Sequence, residues 1–145
     1  MLIFSKEGKI TAKDDKTNIV IPFTVPENIR KLTVSYSYSP KTVGEETAKR
    51  YVTENMRKYG VKLTDINLFL PVKNLIPLSF DENGKYRGAC HRQANEQKVI
   101  ICEKDSTPGI LNRPVTKGEW DIVLNVHFAG CDIDYKISVE GDEEL

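Results

Sequence analysis

The chain has 145 residues, the size of a single domain with one core. Its 39% hydrophobic and 29% charged residues make a globular balance rather than a disordered one. The 21 basic residues match the 21 acidic ones, and a net charge of zero gives no long-range steering toward nucleic acid.

The first residues, Met1-Leu2-Ile3-Phe4-Ser5-Lys6-Glu7, turn charged at once and lack the apolar core of a signal peptide. A short hairpin is expected around Glu7-Gly8. A strand follows from Asn18 to Val25, with Pro22 and Pro26 suiting an edge position where a missing N–H does no harm. Leu32, Val34, Tyr36 and Tyr38 then alternate with Thr33, Ser35 and Ser37, the period of a strand with one face on a core.

One helix interrupts the pattern between Val43 and Tyr59. Thr42-Val43-Gly44-Glu45 has the spacing of a capping box, and Ala48, Tyr51, Val52, Met56 and Tyr59 share a stripe. Gly60 is a natural stop. Weaker strands are expected at Asp65 to Leu70, Ile76 to Asp81 and Lys98 to Glu103. Asn83-Gly84 has the chemistry of a type I′ hairpin turn. Trp120, Ile122, Leu124, Val126 and Phe128 form one strong alternating run, and Ile133, Tyr135, Ile137 and Val139 another. Only the acidic tail Glu140 to Leu145 has a frayed composition. The pattern predicts a mainly β domain over residues 1–145. Its expected form is an antiparallel β-sandwich, jelly-roll or Ig-like, with one inserted amphipathic helix.

Few residues invite chemistry. His91 and His127 lie in no HxH or HExxH spacing, and Cys90, Cys102 and Cys131 contain no CxxC pair, which argues against a zinc knuckle and a disulfide framework. Cys90 beside His91 suggests a Cys/His nucleophile, but neighbours on a strand face opposite ways. Such a nucleophile would need a depressed Cys90 pKa. Asp81-Glu82-Asn83-Gly84 lacks the spacing of a calcium loop, and turn chemistry accounts for it. Tyr36, Tyr38, Trp120 and Tyr135 could stack on a sugar, but all four fall on the inward phase. No stretch reaches the about 20 apolar residues that span a bilayer. Neither a cofactor nor a metal is expected in this chain, a reducing cytoplasm is its expected location, and nothing in the pattern sets an oligomeric state.

Several segments together carry a resemblance. They are Ile21-Pro22-Phe23-Thr24-Val25-Pro26, Tyr38-Ser39-Pro40, Tyr86-Arg87-Gly88-Ala89-Cys90-His91-Arg92, Ser106-Thr107-Pro108-Gly109-Ile110 and Gly118-Glu119-Trp120. In order and spacing, from about Thr17 to Val139, they resemble the N-terminal β-sandwich of CehA/McbA-type metallohydrolases, members of the polymerase-and-histidinol-phosphatase (PHP) superfamily. The family continues Thr-Pro-Gly with an aromatic and a further glycine, whereas Ile110-Leu111-Asn112-Arg113 stands here. The resemblance implies metal ligands in a His-rich catalytic domain that would begin beyond Leu145, and none in this chain. It therefore implies a non-catalytic accessory domain with a PHP-type catalytic domain as its partner, in the same polypeptide or as a separate subunit. The alternative is a free-standing glycan- or peptide-binding module. Arg87 and Arg92 are hard to justify by packing and would pair with acids such as Glu103 or Asp105, or face a ligand. Arg87, His91, Arg92 and Arg113 are the candidate ligand or interface residues.

Overall fold

The computed structural model describes residues 1–60 and 66–144. Among the described residues, eight strands run in chain order: β1 (Leu2–Ile10), β2 (Asn18–Val25), β3 (Lys31–Ser39), β4 (Leu78–Glu82), β5 (Lys85–Cys90), β6 (Glu96–Cys102), β7 (Gly118–Asn125) and β8 (Ile133–Asp142). One helix, α1 (Glu45–Lys58), and short 3-10 turns at Ala12–Asp14 and Ile66–Phe69 complete the elements of the described residues. Two antiparallel sheets, ordered β1-β8-β3-β6 and β2-β7-β4-β5, pack face to face. Within them β4 pairs with β5, β3 with β6, β2 with β7 and β1 with β8. That nesting is one long antiparallel ribbon rolled onto itself, the jelly-roll form of the sandwich. The ribbon's tip is the predicted Asn83-Gly84 turn, so a two-residue signal marks the centre of the whole topology.

The core follows the period-two reading. Leu32, Val34, Ile101, Ile122, Leu124, Val139 and Trp120 are all fully buried between the sheets. Pro22 lies on β2, the edge strand of its sheet, where no outer neighbour needs its N–H. No described helix is long and apolar enough to cross a membrane.

Five expectations are corrected. No hairpin opens the chain: β1 runs unbroken through Glu7-Gly8, and Gly8 lies opposite Tyr135. A Cβ there would stand 2.5 Å from the Tyr135 hydroxyl, so this glycine serves a close cross-strand approach rather than a turn. Of the predicted strand at Asp65 to Leu70, Asp65 lies outside the described residues, and Ile66–Phe69 form a 3-10 turn. Thr42 does not cap α1: it bridges to Lys73, leaving Gly44 at the N-cap with no side-chain bond. The capping box sits instead at Thr11, whose backbone N–H donates to Asp14 at 2.8 Å. Glu140–Asp142 are not frayed but complete β8, where the Gly141 N–H donates to Met1 and the Arg30 N–H to Asp142. The strand begun at Trp120 ends at Asn125, short of Phe128, which bridges to Leu75.

Helix α1 buries Ala48, Val52 and Met56. It covers the β7–β8 connection, with the Tyr51 ring edge-on to Phe128 at 5.0 Å. Tyr59, expected on the same stripe, is 71% exposed.

Candidate functional site

Arg87 is placed by a β-bulge. Phe80 pairs with Gly88 and Asp81 with Tyr86, so Arg87 is the extra residue on β5 and its side chain joins the core face. Its guanidinium lies 5.6 Å from the Trp120 ring and is fully buried. It pairs with Glu82 at 2.8 Å, rather than with Glu103 or Asp105. Its Nε donates to the Leu111 carbonyl at 3.0 Å. Nη1 also reaches Pro114 at 3.2 Å, and Nη2 reaches Cys102 at 3.4 Å and Arg113 at 2.5 Å. An arginine has five N–H donors, and these five acceptors use them all.

Glu82 completes the node. Its Oε2 accepts from the Thr116 N–H at 3.0 Å and from the Thr116 hydroxyl at 2.6 Å. Burial alone would raise its pKa, but the Thr116 and Arg87 hydrogen bonds and the Arg87 charge prevail and hold the carboxyl below its ordinary value. Turn chemistry hid Glu82 in the sequence; the available signal was its phase, since Leu78, Phe80 and Glu82 alternate as one inward set. Arg113 lies above, with Nη2 donating to the Tyr86 carbonyl at 3.1 Å and standing 3.5 Å from Glu82. Beside them lies a hollow of about 390 Å³ lined by Glu82, Asn83, Lys85, Arg113, Pro114 and Thr116.

The same region joins the two sheets. Thr107 exchanges hydrogen bonds with Ile100 on β6, while the Ala89 N–H of β5 donates to Gly109 and the Leu111 N–H to Arg87. The segment from Ser106 to Asn112 is thus a strap across the β5 and β6 edges. Gly109 of the strap (φ +98°) meets Gly88 of β5 (φ +149°), and a Cβ on Gly109 would stand 2.2 Å from the Ala89 carbonyl oxygen. Close by, Asn83 accepts from the Glu119 N–H at 2.9 Å and donates to Lys117 at 3.0 Å, anchoring the β4–β5 turn to the start of β7.

Of the candidate residues, the structure brings Arg87 and Arg113 together on Glu82. His91 and Arg92 are exposed and lie beyond the far end of β5, apart from that node. Cys90 is buried while His91 faces solvent, so the two point apart. Burial pushes the Cys90 thiol up against a smaller lowering by Arg92, the opposite of an activated nucleophile. His127 is exposed. Tyr36, Tyr38, Trp120 and Tyr135 are all buried, which removes the stacking platform they could have made. Among the described residues, no group of three or more His, Cys, Asp or Glu is placed to hold a metal ion.

A shallow trough of about 610 Å³ crosses the outer face of the β1-β8-β3-β6 sheet. Ser5, Ser138, Ser35 and Lys98 lie in register along its floor. No protein-family model matches the chain, and no curated protein does.

Proposed function

We propose that this chain is a non-catalytic accessory β-sandwich of a PHP-type, metal-dependent phosphoesterase, packing on or presenting substrate to a catalytic domain in the same polypeptide or in a separate subunit. The observation that carries the reading is what the resembling segments do. Tyr86 to Ala89, Ser106 to Ile110 and Gly118 to Trp120 converge on the joint between the sheets, where Gly88 meets Gly109 and Arg87 is bonded at every donor. Residues used this way preserve an architecture. The buried, protonated Cys90 supports the same reading.

The test is immunoprecipitation of the endogenous gene product, assayed with a chromogenic phosphoester and Mn²⁺ or Zn²⁺ beside the isolated chain. The precipitate is expected to hydrolyse it and the isolated chain to leave it intact. Hydrolysis by the isolated chain would overturn the non-catalytic half of the reading. A precipitate without metal-dependent phosphoesterase activity would overturn the association.

A further inference from the structure

The outer face of the β2-β7-β4-β5 sheet carries two adjacent rows. Val20, Val123, Ser79 and Ala89 lie in register across the four strands, and Pro22, Asp121, Asp81 and Tyr86 lie in the next row. Val20 and Tyr86 are each 57% exposed. Asp81 and Asp121 are cross-strand partners on the outward phase, since Phe80 and Ile122 beside them are buried. Like charges directly opposite each other on a sheet are destabilising. The ion pairs among the described residues include neither carboxylate, and the nearby Arg113 is turned to Glu82. An acidic pair flanked by exposed apolar side chains calls for a basic, apolar counterpart.

The chain itself carries one. The last turn of α1 presents Arg57 and Lys58, followed by Tyr59, 71% exposed. Lone exposed apolar residues are ordinary, but Val20 and Tyr86 beside two aspartates, and Tyr59 beside two basic side chains, form surfaces of opposite charge.

We propose that a second copy of this chain docks the Arg57-Lys58-Tyr59 end of α1 onto the Asp81–Asp121 face of the β2-β7-β4-β5 sheet. The two surfaces differ, so the contact is head-to-tail: it extends into chains unless the rotation between copies closes a ring. Val20 and Tyr86 receive Tyr59, and the two carboxylates receive the basic pair. This inference concerns self-association and does not rest on the catalytic partner proposed above.

The experiment is sedimentation velocity with light scattering over a concentration series reaching the millimolar range, at low and high salt. The weight-average mass is expected to rise above the 16.5 kDa monomer with concentration and to fall back with salt. Asp81→Asn with Asp121→Asn should raise the dissociation constant by about tenfold while leaving the fold intact. Asp81→Lys with Asp121→Lys in one protein, and Arg57→Glu with Lys58→Glu in another, should each abolish self-association, and mixing the two should restore a complex between them. The loss in the neutral Asn variant, which relieves repulsion in the monomer, separates lost docking from lost folding. A mass of 16.5 kDa at every concentration would overturn the proposal. So would association that survives either reversal, or reversed variants that stay apart when mixed.

Discussion

Asp81 and Glu82 are neighbours on β4, and the fold treats their carboxylates in opposite ways. Glu82 is turned inward, 6% exposed, and receives Arg87 and two bonds from Thr116. Asp81 is turned outward, opposite Asp121 and outside every ion pair among the described residues. The difference teaches where this sandwich tolerates charge. In its interior each charged group is met by enough partners to offset the loss of water. On its outer face an unfavourable juxtaposition is left standing, because solvent screens it and a docking copy can relieve it. One residue of strand phase separates scaffold from surface.

The contrast breaks most severely at Arg87. Arg87→Met leaves Glu82 buried with its main counter-charge removed, and should destabilise the fold by about 3–5 kcal/mol, read as a lowered urea midpoint. The double variant Arg87→Met with Glu82→Gln should recover part of that loss, since it removes the orphaned charge as well as the pair. If the double variant were no more stable than the single one, the cost would lie in packing against Trp120 rather than in charge.

Gly109→Ala strikes the same joint through the backbone. The new Cβ would meet the Ala89 carbonyl at 2.2 Å in a φ of +98°. The strap must then shift, at a cost of about 3 kcal/mol. Amide exchange should quicken first at Ala89 and Leu111, whose N–H groups hold the strap to β5. Protection unchanged at those two amides would show that the strap is independent of the β5 edge.

How much of this was legible in the sequence depends on the range of the interaction. Period-two alternation is a local signal, and it located β3, β7 and β8 and assigned Trp120 to the core. The Asn83-Gly84 turn is equally local. What failed was the reading of residues whose role is set by a distant partner. Gly8 answers to Tyr135, Thr42 to Lys73, and Gly141 to Met1, and no local pattern records such pairings. Local pattern makes Arg87 hard to place by packing and points to Glu103 or Asp105 as its partner, whereas the structure pairs it with Glu82. The bulge that turns it toward Glu82 depends on β4–β5 register, which the sequence alone does not display. The Asp81–Asp121 pair was hidden for the same reason: it exists only once β4 lies beside β7.

The inner carboxylate also fixes a pH dependence. Glu82 has a folded-state pKa below its ordinary value of 4.5, so the folded protein holds this proton less well than the unfolded chain. Its contribution to stability is therefore complete above that ordinary value and is lost as the pH falls through the lower, folded value. Glu82→Gln should cost about 2 kcal/mol at neutral pH, and less as the pH drops into this window. Chemical denaturation at a series of pH values reads the two curves converging. Parallel curves would place the acid sensitivity on other carboxylates.

The outer carboxylate sets the smallest effect and the only one of opposite sign. Asp121→Asn removes one of two like charges facing each other across β4 and β7 without changing side-chain volume, and should stabilise the monomer by about 0.5 kcal/mol. The gain should shrink as salt is added, because screening already weakens the repulsion in the native pair. Asp81→Asn should give a similar gain, and the double variant should gain less than the sum, since either change alone relieves the same repulsion. Full additivity would mean that each aspartate is repelled by a different neighbour. The Asp81–Asp121 juxtaposition would then cease to distinguish this face from the compensated node one residue away.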